Sequence, residues 1–287
     1  MIMSGFVWKT TFPSINEDII LKFVSYCHDI LRVKSTTIKL YLCAIRFHYI
    51  VHDTDNLFTS DTKLIRVETM LKGIRKSEHA TVQKRLPLTN NIIKDIVTLL
   101  RKGFFKSNID QLMEAACVIA FVGFLRCGEF TALDTFCPES NICCEDIVFF
   151  ENRAVLRLRA SKTDIFRRGV DINLFQTNSD ICPVASLKRY IQSRTPLQRQ
   201  EPFFIMDKNQ ALTRSFFLKS LKSLLYALGF NADLFNGHSF RIGAATSAAG
   251  KVEDHMIQTL GRWSSLCYTR YIHTSLANIK KAQIDMQ

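Results

Sequence analysis

A mainly α-helical protein carrying one small three-stranded antiparallel sheet, an α+β arrangement in two domains, is predicted by three features of the sequence. Apolar residues recur at helical spacing along most of the 287 residues. Period-two alternation is confined to one stretch, Ile147 to Leu174. A short, polar and basic segment, His79 to Arg85, separates two groups of helices, so the domains are expected at 1–80 and 81–287.

Met1 to Pro13 has little periodicity and reads as a lead-in. Ser14, with Glu17 three residues later, forms a capping pattern ahead of Ile19, Ile20, Phe23, Val24 and Cys27. A second helix begins at Ser35 and places Ile38, Leu42, Ile45 and Tyr49 on one stripe. A third, Thr62 to Ser77, pairs an apolar face (Leu64, Val67, Met70, Leu71, Ile74) with a basic one that includes Lys72 and Arg75. Leu86 to Thr89 precedes a helix through Leu100, and Ile109 to Phe124 is strongly apolar, as a core helix is. That helix delivers Arg126 to its end. A cation beside so apolar a run needs a partner or a ligand, and Glu129 is the plain structural partner.

Strands are expected at Ile147–Phe150, Ala154–Ala160 and Gly169–Leu174. In the second, Val155 to Arg159 alternates apolar and basic side chains, so one face is buried and the other cationic. The turn from Ser161 to Arg168 carries Lys162. Pro183 opens a helix to Ser193, and Ser215 to Gly229 forms an amphipathic helix ended by its glycine. Ile242 to Ala249 is a helix of small residues that permit close packing, another helix starts near Val252, and Ser275 to Met286 forms a last short one.

Composition narrows the partners. Lysine and arginine number 38 against 26 acidic residues, a formal charge of +12, which favours a polyanion. The nine cysteines show no C-x-x-C pair and no Cys/His cluster, the pattern of reduced intracellular thiols rather than a disulfide framework or zinc site. No apolar run reaches membrane-spanning length and no secretory leader is evident, so an intracellular protein is expected. No carboxylate cluster suits a divalent metal and no nucleotide-binding glycine loop occurs; neither metal nor cofactor is expected.

The chemistry concentrates in four boxes. GHSFRIGAAT (Gly237–Thr246) sets His238 and Arg241 three residues apart at a helix start. GRWSSLCYTRYI (Gly261–Ile272) carries Trp263, then Tyr268 and Tyr271 at helical spacing. GFLRCGEFTAL (Gly123–Leu133) contains Arg126 and Glu129, and LRLRASKTDIFRRGVDI (Leu156–Ile172) contains Lys162. In this order the boxes resemble the tyrosine recombinases of the phage-integrase fold, and within them the enzymes of cryptons and DIRS/Ngaro mobile elements. STTIKLYLCAIRFH (Ser35–His48) is similar to a helix of that family's small DNA-clamping domain.

The resemblance implies a helical core-binding domain followed by a catalytic domain. It implies DNA strand cleavage and rejoining through a 3′-phosphotyrosyl intermediate on double-stranded DNA, in the nucleus, by a synaptic tetramer whose subunits exchange C-terminal helices. Family copies usually have a further helix before the one starting near Ser14, so an N-terminally truncated clamp is expected. In this reading Arg126 and Arg241 are bidentate forks for the non-bridging oxygens. Lys162 protonates the leaving 5′ oxygen, His238 handles the phenol proton or bonds a phosphate oxygen, and Trp263 braces the tyrosine-bearing helix and can donate its indole N–H. Tyr271 is favoured over Tyr268 as nucleophile, and Glu129 holds the basic side chains in place. Lys39, Arg46, Lys72, Arg75, Lys84, Arg159, Arg167 and Arg168 are candidate DNA contacts. A domesticated DNA-binding protein that no longer cuts and a type IB topoisomerase are the alternatives.

Overall fold

The computed structural model describes residues 15–51, 64–78, 85–161, 164, 166–195, 198–273 and 283–284. The chain divides into two compact units, Met1–Val82 and Gln83–Gln287.

The first unit is built from α1 (Glu17–Asp29), α2 (Ser35–Val51) and α3 (Ile65–Ser77). Asn16 caps α1, its side-chain oxygen accepting from the Ile19 amide at 2.9 Å. This corrects the expected Ser14 cap: the Asn16 carboxamide, two residues nearer, reaches the third helical amide itself. Two other helix starts are capped from a distance. Glu17 accepts from the Arg66 amide at 3.0 Å at the start of α3. Glu78, just past α3, accepts from the buried Ser35 amide and hydroxyl at the start of α2. The Ser35 amide bond in particular holds the Glu78 carboxyl below its usual range. Ile20, Val24, Cys27, Ile38, Tyr49, Val67, Leu71 and Ile74 form the core. Lys39, Arg46, Lys72 and Arg75 are all exposed, while Lys84 lies outside the described residues.

The second unit is organised around α5 (Ser107–Val122), whose residues from Leu112 to Phe121 are all buried. Helices α4 (Asn90–Arg101), α7 (Pro183–Ser193) and α9 (Ser239–Ala248) pack against it. One carboxylate lies inside this packing. Glu114 accepts from Arg101 at 2.8 Å, from Ser186 at 3.2 Å and from Arg189, joining α4, α5 and α7. Between α5 and α7 lie the short α6 (Cys127–Phe130) and strands β1 (Ile147–Phe149), β2 (Arg153–Leu158) and β3 (Val170–Phe175). The sheet order is β1-β2-β3, antiparallel throughout, with Leu156 opposite both Ile147 and Ile172. Ala154, Leu156 and Leu158 face the core, as the alternation requires. Helices α8 (Arg214–Ala227) and α10 (Asp254–Gly261) and a 3₁₀ turn, Leu266–Tyr271, complete the unit.

Arg159 bonds Asp146 through Nε at 2.7 Å and Glu145 through Nη2 at 2.6 Å, interactions that raise its pKa. The sheet folds β2 back over the turn before β1, so this partly exposed cation ties the hairpin together. Arg167 and Arg168 remain exposed at the β2–β3 turn. Lys162, the linker residues 79–84 and nearly all of the predicted last helix (274–282 and 285–287) lie outside the described residues. All nine cysteines are free thiols. Among the described residues no helix is long and apolar enough to cross a membrane, and no group of three metal-ligating side chains occurs.

Candidate active site

The site begins where α5 ends. Phe124 adopts a left-handed backbone (φ 51°) and the Leu125 amide bonds back to the Ala120 carbonyl, which places Arg126 at the first turn of α6. Glu129 then closes on Arg126 twice. One carboxylate oxygen accepts from the Arg126 amide and the other from its Nη1, both at 2.9 Å. The Glu129 side chain is only 4% exposed, against 21% for Arg126.

A second cation completes Glu129. Arg262 follows α10 in the left-handed conformation (φ 55°) and donates from Nη2 to Glu129 at 3.1 Å. Its Nη1 donates to the Gly123 carbonyl at 2.9 Å and its Nη2 also reaches the Phe124 carbonyl at 3.3 Å. Sequence reasoning missed Arg262. The available signal was its place between Gly261 and Trp263 inside a site box, together with an acid upstream able to accept two guanidinium groups.

Arg241, in the first turn of α9, is fully buried. It donates from Nη1 to the Phe124 carbonyl at 2.8 Å and from Nη2 to the Gly261 carbonyl. Its guanidinium carbon lies 4.3 Å from the centre of the Trp263 ring. Of the two arginines expected as phosphate forks, Arg126 is partly exposed, whereas Arg241 is a buried strut between the end of α5 and the end of α10. Its pKa is pushed down to about 10, by burial first and then by the Arg126 and Arg262 guanidiniums. Glu129 and Tyr271 act in the opposite sense, so Tyr271 lies within electrostatic reach of Arg241. The Nε groups of Arg241 and Arg262 are both buried without a hydrogen-bond partner. Arg126 and Arg262 share the Glu129 carboxylate and the Arg241 guanidinium lies close by, an excess of positive charge that attracts an anion.

Trp263 joins this cluster to the tyrosines. Its ring centre is 5.9 Å from Tyr268, 5.4 Å from Tyr271 and 6.0 Å from Phe124, the last edge to face. Tyr268 is 2% exposed, and burial followed by the neighbouring Asp254 carboxylate raises its pKa. Tyr271 is half-buried at the end of the 3₁₀ turn. Thr246 on α9 anchors that end: its hydroxyl donates to the Tyr271 carbonyl and accepts from the His273 amide, both at 3.1 Å. His238 is exposed and directly precedes α9, three residues before Arg241. Arg126, Glu129, Arg241, Trp263 and Tyr271 are thus brought together around Arg262, His238 stands on the same helix as Arg241, and Lys162 is outside the described residues.

Gly261 sets the indole's position. A Cβ there would lie 1.7 Å from the Trp263 ring, so no other residue fits without displacing the indole. Gly261→Ala is expected to cost about 1–3 kcal/mol, the usual scale of overpacking. Urea denaturation checks this, together with a change in Trp263 fluorescence.

No family model matches the chain. The fold is that of the tyrosine recombinases and integrases: a mostly helical chain with a three-stranded antiparallel sheet, superposable on solved structures of that class. The XerH site-specific recombinase bound to palindromic difH substrate, in a post-cleavage complex, aligns over 94% of this chain and 69% of its own, with a TM-score of 0.64 and 17% identity. The XerA recombinase aligns over 95% of this chain and 83% of its own, with a TM-score of 0.52 and 13% identity. The Tn1549 transposon integrase in complex with circular intermediate DNA covers 94% and 83%, with a TM-score of 0.52 and 14% identity. In sequence, the chain is 25% identical over 189 residues to an integrase/recombinase xerD homolog of Selenomonas ruminantium, a match spanning 64% of this chain and 52% of that protein.

Proposed function

We propose that this protein is a tyrosine recombinase that cuts and rejoins double-stranded DNA at specific sites through a 3′-phosphotyrosyl link to Tyr271. The observation that carries the reading is the gathering of three guanidiniums, Arg126 and Arg262 on the Glu129 carboxylate and Arg241 under Trp263, beside a tyrosine that the same indole braces. A scissile phosphodiester supplies the missing negative charge. The Tyr271 phenolic oxygen attacks phosphorus, the bond to the 5′ oxygen breaks, and the 5′ oxygen takes a proton from Lys162. The phenol's proton passes to His238 or solvent. Charge building on the non-bridging oxygens is met by fixed guanidinium donors, the largest single contribution in such sites. Reversal of these steps onto another 5′ hydroxyl rejoins the strand and consumes no external energy.

The match to the xerD homolog and the shared fold with DNA-bound recombinases support this reading. The exposed cations of the first unit suit a clamp on the DNA backbone, and the sequence boxes suit a nuclear mobile-element enzyme working as a synaptic tetramer with exchanged C-terminal helices. A duplex nicked so that cleavage releases a short strand tests the chemistry. A covalent protein–DNA adduct mapping to the peptide containing Tyr271 is expected, without added metal. Failure to trap any adduct sinks the reading and leaves a DNA-binding protein that does not cut.

Binding should also weaken steeply with salt. Log affinity plotted against log salt is expected to fall with a slope of roughly −0.9 per phosphate neutralised. Arg167→Ala combined with Arg168→Ala should make that slope shallower. A flat salt profile for the unaltered protein argues against contact with the DNA backbone.

A further inference from the structure

We infer that Arg262 is a positioning residue that makes docking of the tyrosine segment and alignment of Arg126 a single event. The inference rests on the reading that this cluster holds the scissile phosphodiester. All three hydrogen-bond acceptors of Arg262 lie on the segment that presents Arg126: the Gly123 carbonyl, the Phe124 carbonyl and Glu129. Arg262 itself belongs to the chain leading directly through Trp263 into the 3₁₀ turn that ends at Tyr271. Glu129 divides its two oxygens between the cations, so Arg126 Nη1 is held by one oxygen while Arg262 holds the other.

Removing Arg262 leaves Glu129 held only by Arg126 and takes away the bond to the Gly123 carbonyl beside the left-handed turn at Phe124. Arg126 then loses its fixed aim, although it keeps its charge. The Arg262 guanidinium has two filled Nη positions and a buried Nε with no partner, the geometry of a brace rather than of a group open to substrate. Its side chain is only 16% exposed. Lysine cannot reproduce the contact, because one ammonium does not span two carbonyls and a carboxylate with fork geometry.

The test compares cleavage of a trapped duplex carrying either an ordinary phosphodiester or a neutral methylphosphonate at the scissile position. Arg262→Ala is expected to bind DNA within about threefold of the unaltered protein and to slow phosphodiester cleavage by about 10²-fold, the scale of one lost oxyanion donor. The methylphosphonate, which builds up less charge for Arg126 to meet, should recover most of that loss. Arg262→Lys should be intermediate, and Glu129→Gln should slow the phosphodiester in the same direction. An Arg262→Ala protein that cleaves at the normal rate overturns the inference. So does an equal loss on both linkages by Arg262→Ala or, should that variant not fold, by Arg262→Lys, since a general loss of structure does not depend on substrate charge. If the unaltered protein forms no adduct on either linkage, the function proposed above falls, and this inference with it.

Discussion

Tyr271→Phe is expected to abolish the covalent DNA adduct while leaving DNA binding nearly unchanged. The substitution removes a single oxygen and keeps the ring that packs 5.4 Å from Trp263. Because Tyr271 is half-buried and its anchoring to Thr246 runs through the backbone, folding stability should move by no more than about 0.5–1 kcal/mol. Loss of the adduct should be complete rather than partial, because the nearest alternative phenol is poorly suited to attack. Tyr268 is 2% exposed, with its pKa raised by burial and by the Asp254 carboxylate, so ionisation of its phenol is harder than for an ordinary tyrosine at about 10. Tyr268→Phe should accordingly keep the adduct. Gel-shift trapping of the two variants side by side decides the matter: an adduct that survives Tyr271→Phe and disappears with Tyr268→Phe reverses the assignment.

Arg241→Ala should damage both the fold and the chemistry. The side chain is fully buried and joins the Phe124 carbonyl to the Gly261 carbonyl beneath the Trp263 ring. Its removal strands the Gly261 carbonyl, at about 1–3 kcal/mol, weakens the hold on the Phe124 carbonyl and opens a cavity beneath the indole. A stability loss of several kcal/mol, out of the roughly 5–15 kcal/mol a typical native protein possesses, should lower the denaturation midpoint visibly. Cleavage should fall by at least about 10²-fold in whatever fraction stays folded. Arg126→Ala provides the contrast. That side chain is 21% exposed and touches the protein mainly through Glu129, so a comparable loss of rate should come with a much smaller loss of stability. If Arg241→Ala melts like the unaltered protein and cleaves normally, the central role given to this residue is wrong.

Much of this arrangement was legible beforehand. The apolar run of α5 could only be a core helix, and the alternation around Leu156 could only be a half-buried strand. The three-residue spacing of His238 and Arg241 placed both on one helix start. Helix ends were less legible: Asn16 rather than Ser14 caps α1, because the choice between adjacent capping side chains depends on the geometry of the entering chain. The roles of individual arginines were least legible. Arg159 stands on a basic strand face by its spacing, and only the register of β1 and β2 brings Asp146 and Glu145 against it.

By itself the sequence determined the helical class, the position of the small sheet and the set of cations and phenols available for chemistry, because these follow from periodicity and residue type, which are local. Only the tertiary structure decided which cations meet. Arg262 turns toward Glu129 through one left-handed residue, and Arg241 is buried where the ends of α5 and α10 meet. Such pairings depend on contacts across more than a hundred residues, where a cation's partner is chosen by packing and the demand that buried charge be met, not by its neighbours in the chain.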